Sequence, residues 1–182
     1  MKKKAICVFI LSLWAVPCFA GPIFDTFGPA DSYNTLLGLS VGGIPSISPD
    51  LDSACQFSFG GTTSYYLDRI ELAVGLSTGT NELDVWLMSD AAGEPGAIIE
   101  ALNFNGAMGL FGVNNPLLVG DSILHPVLNP GTHYWLAASA PNAGTSAGWN
   151  LSSPVVNGVV AQREDLGPWT VYPNSELGAF RV

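Results

Sequence analysis

Two stretches of the sequence alternate between apolar and polar side chains, and this period of two is the strongest constraint on the fold. The first covers residues 67–76, where Ile70, Leu72, Val74 and Leu76 fall on one face. Charged and small residues occupy the other face. Successive side chains of a strand point to opposite sides of its sheet, so this pattern predicts a half-buried antiparallel strand.

The second alternating stretch, residues 82–88, follows after a short polar segment that contains Gly79. Its inward residues are predicted to be Leu83, Val85 and Leu87, which places Trp86 on the opposite face. Two alternating runs joined by a short glycine-containing segment are typical of a β-hairpin. We therefore expect residues 67–88 to form a hairpin.

Further strand-like runs recur about every 10 to 15 residues along the chain, separated by turn-forming residues. The sequence contains 21 Gly and 13 Pro without a repeating period, and no long amphipathic helical pattern. An aromatic-rich run at 132–139 is predicted to be a central strand. The pattern indicates an all-β fold, an antiparallel, jelly-roll-like β-sandwich of about eight to ten strands in a single domain at 21–182.

The first 20 residues have the features of a secretory signal peptide. Lys2, Lys3 and Lys4 precede the apolar run at 5–16, and Ala20 ends a segment suited to cleavage before Gly21. The apolar run is too short to cross a membrane as a helix. Lipidation at Cys18 is disfavoured by the preceding proline. We expect export, with the mature chain either secreted to the extracellular space or periplasmic.

Removal of residues 1–20 would leave a strongly acidic chain. All 15 acidic residues remain, but the basic residues are reduced to Arg69, Arg163 and Arg181, for a formal charge of −12. Such a surface repels phosphate backbones and anionic lipid, so nucleic-acid binding is excluded. The mature sequence has no apolar stretch long enough for a membrane span. Its one cysteine, Cys55, cannot form an intrachain disulfide and is predicted to be buried.

Several segments together are similar to a known family. They include the Phe-Asp-Thr-Phe-Gly-Pro run at 24–29, the stretch 70–87, the Gly-Thr-His-Tyr-Trp-Leu run at 131–136, the Gly-Trp-Asn run at 148–150 and the last four residues. Their order and spacing over almost the whole mature chain resemble the choice-of-anchor R domain of bacterial exported proteins, which often carry a C-terminal PEP-CTERM signal.

The resemblance implies a β-sandwich displayed outside the inner membrane, and it transfers no catalytic residue. The usual C-terminal anchor is missing from this sequence, so we expect a freely secreted or periplasmic form. The whole mature chain would then be this one domain.

Three polar residues near the mature N-terminus are candidates for a structural calcium site. Asp25, Asp31 and Asn34 supply the oxygen ligands that Ca²⁺ prefers, although they match no established calcium loop. The alternative is ordinary solvated polar residues. No other cofactor is expected.

Two tryptophans are candidates for a binding surface. Trp86 and Trp149 could stack on a sugar ring if they face outward, as in carbohydrate-binding modules. Coverage by a loop or a second layer is the alternative for Trp86. Trp135, in its apolar run, is expected in the core.

The sequence contains no arrangement typical of catalysis. The two histidines lack metal-site spacing, and nucleophile-elbow and phosphate-loop motifs are missing. We therefore predict a non-enzymatic exported domain that interacts with the cell surface or the extracellular matrix. Its partner would be a polysaccharide or a surface or matrix protein. A carbohydrate-binding module is the alternative, and a hydrolase is the third reading, for which the sequence offers no catalytic constellation.

Overall fold

The computed structural model describes residues 21–43, 50–141 and 144–182. Over these residues the regular structure is β-strand, apart from one 3-10 turn at Pro29–Asp31. No helix in these ranges has the length and apolar character of a membrane span. The predicted signal peptide lies outside the described residues.

Fifteen strands follow one another along the described chain, and four of them contain only two residues. They are β1 (Tyr33–Gly42), β2 (Leu51–Phe57), β3 (Tyr65–Tyr66), β4 (Arg69–Leu72), β5 (Val74–Gly79), β6 (Glu82–Asp90), β7 (Pro95–Asn105), β8 (Gly109–Leu110), β9 (Leu118–Asp121), β10 (Val127–Leu128), β11 (Tyr134–Ser139), β12 (Thr145–Ser152), β13 (Asn157–Glu164), β14 (Thr170–Glu176) and β15 (Phe180–Arg181).

The strands form one large curled sheet and two small ones. One part of the large sheet has the order β7-β6-β11-β2-β13-β14, and the other part has the order β1-β12-β5-β8. The two parts join where Gly42 of β1 pairs with Leu51 of β2. All strand pairs are antiparallel except β5 with β8. The small sheets are β15-β4-β9 and β10-β3. The predicted all-β, mostly antiparallel sandwich in a single domain is confirmed, but the described residues contain fifteen strands where about eight to ten were predicted, because several runs are divided into short strands.

The main core lies on the inner face of these sheets, and the alternating sequence pattern explains its composition. Leu83, Val85 and Leu87 of β6 are fully buried in it, as their spacing predicts. Full burial of each such side chain contributes about 1.5–3 kcal/mol. The predicted central strand is β11, which pairs with β6 on one side and β2 on the other and is buried along its whole length.

The predicted hairpin at 67–88 is wrong. β5 pairs with β12 and β8, whereas β6 pairs with β11 and β7, so the connection between β5 and β6 crosses from one part of the large sheet to the other. The connecting residues bond to other segments. Thr80 donates its N–H to the carbonyl of Gly144 at 3.3 Å, and the Asn81 amide exchanges two hydrogen bonds with the backbone of Met108.

The first alternating run is itself interrupted. Ala73 separates β4 from β5; it is buried, and its backbone hydrogen-bonds to Ala179 and Asn150. β4 therefore belongs to a small sheet, while β5 belongs to the large one. The local hairpin of this region is instead β6 with β7. Its turn is closed by a hydrogen bond from the Gly93 N–H to the Asp90 carboxylate.

Both ends of the described chain are held together. Ile23 donates its N–H to the carbonyl of Val182 at 2.8 Å, and Val182 donates to Phe24 at 2.9 Å. β15, next to the C-terminus, pairs with β4. These contacts fix residues 23 and 24 against the C-terminal residues, which are themselves attached to β4 through β15.

Candidate functional site

Trp86 lies on the outer face of the large sheet, as predicted, but it is not an open aromatic platform. It is half-buried, and the guanidinium of Arg163 lies over its ring at 5.6 Å and over that of Trp169 at 4.6 Å. Arg163 also donates to the buried carboxylate of Asp52 at 2.6 Å. The rings of Trp86 and Trp169 therefore already contact a cation of the protein itself, Arg163.

Trp135 lies on the same outer face and is fully buried. Its indole N–H donates to the Asp90 carboxylate at 2.8 Å, and the Gln56 amide donates to the same oxygen. Burial alone would raise the pKa of Asp90, but hydrogen bonds from Gly93, Trp135 and Gln56 lower it below its ordinary value. Asp90 is thus a structural acceptor that stays ionised.

The prediction that Trp149 takes part in a binding surface is wrong. Its side chain is fully buried in the main core, where its ring packs edge-on against Phe180. The indole N–H donates to the carbonyl of Ala179 at 3.1 Å. Trp149 lies on β12, whose flanking strands β1 and β5 and the C-terminal segment enclose it, so no ligand reaches it.

Two of the three predicted calcium ligands do converge, but on an arginine. Arg181 donates to Asp31 at 2.7 Å and lies 3.8 Å from Asp25. Its Nε and Nη2 both donate to one oxygen of Glu71, Oε2. The Asn34 side-chain oxygen instead accepts from the backbone N–H groups of Leu36 and Leu37, where the register of β1 is irregular. Within the described ranges no group of acidic, histidine or cysteine side chains forms a metal cluster. A calcium site stays a prediction.

Cys55 is buried, as predicted, and lies against the backbone N–H of Gly178. Burial raises the pKa of its thiol to about 12. His125 is held by a contact of 2.9 Å between its Nδ1 and the carbonyl of Leu67. These two potentially reactive side chains are therefore engaged in holding the fold.

An open cavity of about 510 Å³ lies where residues 21–23 meet the C-terminal residues. Its aromatic wall is Tyr65 and Tyr66 of β3, both exposed to solvent. Its polar lining includes Asp68, Arg69 and Glu71, and residues 21–23 and 181–182 complete the lining together with Leu67 and Leu128. The volume lies within the range typical of small-molecule sites, about 300–1,000 Å³.

Four exposed large apolar residues lie on β3, on β10 and in the loop before β10, and we call them the apolar rim: Tyr66, Ile123, Leu124 and Val127. Backbone hydrogen bonds from Ser122 to Asp68 and from Leu67 to Pro126 hold this loop beside the cavity. Val127 of β10 pairs directly with Tyr66 of β3, so their side chains share one face. Ile123 is 78% exposed and Tyr66 is 74% exposed. Large apolar side chains gathered on one surface are typical of interaction sites.

A buried carboxylate holds the loop of the apolar rim in place. Glu100 of β7 is almost fully buried, and it accepts hydrogen bonds from the Ser122 hydroxyl at 2.6 Å and from the backbone N–H groups of Ile123 and Leu124. Burial alone would raise the pKa of Glu100, but these hydrogen bonds lower it below its ordinary value. The loop is therefore presented in a fixed conformation.

Sequence reasoning did not find this end of the molecule. The sequence did contain a signal for it. Tyr65 and Tyr66 are neighbours in sequence, as are Ile123 and Leu124, and adjacent large apolar residues outside an alternating pattern indicate side chains that the core does not bury. Their proximity in space depends on the pairing of β3 with β10, which joins segments about 60 residues apart.

The chain was compared with protein-family models, with curated proteins and with solved structures, and none of the three comparisons finds a match. The resemblance to the choice-of-anchor R domain therefore stays a prediction.

Proposed function

We propose that this chain is an exported, non-enzymatic β-sandwich domain that interacts with the cell surface or the extracellular matrix through the apolar rim. The observation that carries the proposal is the rim itself, in which Ile123 and Leu124 are held exposed by the buried Glu100. A loop fixed by a buried carboxylate loses little conformational freedom on binding, and this favours affinity.

Three further features support the proposal. The acidic composition of residues 21–182 suits an exported chain that stays dispersed. The resemblance to the choice-of-anchor R domain points to the same location outside the inner membrane. The partner would be a polysaccharide or a surface or matrix protein.

The test is sedimentation of the purified full chain with isolated bacterial cell envelopes and with insoluble polysaccharides, each with and without millimolar calcium. The decisive variant is the double change Ile123→Ser and Leu124→Ser. A matched control is Leu36→Ser with Leu37→Ser, an adjacent pair of exposed leucines on β1. We expect the rim variant to lose binding and the control to keep it. Equal binding by both variants, or no binding by the unchanged chain, would refute the proposal.

Carbohydrate binding at the Trp86 face is the second candidate. It requires an accessible face of the half-buried Trp86 ring, which Arg163 already contacts. Polar groups are close by in sequence, because Asp84 of β6 accepts a hydrogen bond of 2.5 Å from the Asn103 amide of β7. Weaker polysaccharide binding by Trp86→Ala, with the rim variant unaffected, would favour this candidate. Turnover of a glycan or ester library, lost on changing one carboxylate, would be needed to revive a hydrolase.

A further inference from the structure

The cavity beside the apolar rim combines an aromatic wall with charged groups of both signs. Tyr65 and Tyr66 supply the wall, and Asp68 and Arg69 follow them directly in sequence. A sugar ring has apolar C–H faces that pack against aromatic rings and a rim of hydroxyls that need donors and acceptors. The cavity offers all three kinds of contact.

Of the two arginines that line this cavity, Arg69 is held more loosely by the protein itself. Its guanidinium lies 3.7–4.0 Å from Asp68, Glu71 and Asp121, which is longer than a hydrogen bond, and its side chain is about half exposed. Arg181, by contrast, is hydrogen-bonded to both Glu71 and Asp31. A ligand could therefore take hydrogen bonds from Arg69 without breaking a well-formed ion pair.

The charge around the cavity decides which kind of sugar fits. Two of the three arginines of residues 21–182 line it, but five carboxylates surround them, namely Asp25, Asp31, Asp68, Glu71 and Asp121. The surroundings are thus net acidic, as is the whole chain. A polyanion would be repelled on approach.

From this geometry we infer that the cavity binds a neutral pyranose ring of a polysaccharide. The ring stacks on Tyr66, Arg69 donates to its hydroxyls, and Asp68 accepts from them. Charged partners make such hydrogen bonds stronger than neutral ones. The inference rests on the proposed function, because it takes the partner of the exported domain to be a glycan.

The test is calorimetric titration of the purified full chain with neutral hexasaccharides of glucose, mannose and xylose, and with an oligogalacturonate as the acidic comparison. Tyr66→Ala and Arg69→Met remove the stacking face and the donor. Tyr172→Ala is a matched control, because Tyr172 is an exposed tyrosine on β14, away from the cavity. The altered side chains are exposed, so the variants should fold, and circular dichroism checks this.

We expect at least one neutral hexasaccharide to bind. Tyr66→Ala and Arg69→Met should each weaken binding about tenfold or more, and Tyr172→Ala less than about twofold. The inference is overturned by unchanged binding in Tyr66→Ala, by tighter binding of the oligogalacturonate, or by no binding of any hexasaccharide. If cell envelopes still bind in a rim-dependent way, the proposed function survives this failure.

Discussion

Replacing Glu100 by alanine removes the group that fixes the rim loop. The carboxylate accepts three hydrogen bonds, from the Ser122 hydroxyl and from the N–H groups of Ile123 and Leu124, at 2.5–3.0 Å. Hydrogen bonds to a charged group contribute about 1.5–3 kcal/mol each, but the two backbone donors can turn to water because their loop is exposed. We expect Glu100→Ala to lower the free energy of unfolding by about 3 kcal/mol.

For a chain of this length, that loss corresponds to a fall in Tm of about 6–12 °C. Urea unfolding followed by tryptophan fluorescence measures the change directly. Glu94→Ala is the matched control, because Glu94 is an exposed glutamate in the turn between β6 and β7. A loss of less than about 0.5 kcal/mol for Glu100→Ala, or an equal loss for the control, would refute the reasoning.

The same carboxylate predicts a pH dependence. Its pKa is lower in the folded chain than in the unfolded one, so the unfolded chain binds the proton more readily. The stability from the ionised form is fully present above the ordinary glutamate pKa of about 4.3 and is lost as the pH falls through the folded value. The difference in stability between the unchanged chain and Glu100→Gln should therefore shrink below about pH 4.

Two substitutions and one labelling experiment also test the fold. Arg163→Lys loses the planar group held between two tryptophan rings and should cost about 1–2 kcal/mol in thermal unfolding; an unchanged Tm would contradict this. Cys55 should react with a thiol reagent only as the chain unfolds, and rapid labelling of the native chain would argue against its burial. Gly148→Ala places a methyl group against the Phe111 ring and should destabilise by about 1–3 kcal/mol, whereas Gly60→Ala, which meets open space, should not.

The period-two pattern was sufficient to predict the class of fold, because inward and outward faces are a local property of each strand. It predicted the burial of Leu83, Val85 and Leu87 and the outward position of Trp86. It failed at the connection between β5 and β6, because a short polar segment serves equally well as a hairpin turn and as a crossing between sheets. Long-range hydrogen bonds of Thr80 and Asn81 decide between the two.

The candidate site was less accessible to sequence reasoning. Trp149 follows two small residues, Ala147 and Gly148, in β12. This local sequence does not indicate that neighbouring strands enclose its side chain. Arg181 is one residue from the C-terminus, yet it gathers carboxylates from positions near 25, 31 and 71. Ion pairs between residues so far apart in sequence depend on the order of the strands in the sheets, and the residue types alone do not determine that order.

The most direct test of the account is to map where a polysaccharide touches the protein. The isotope-labelled chain would be titrated with the neutral oligosaccharide that binds most tightly, and the shifts of its backbone amide signals followed by NMR. We predict that the perturbed amides cluster at residues 65–69 and 122–127, around the cavity and the apolar rim. Perturbations confined to the Trp86 and Arg163 face would contradict the account.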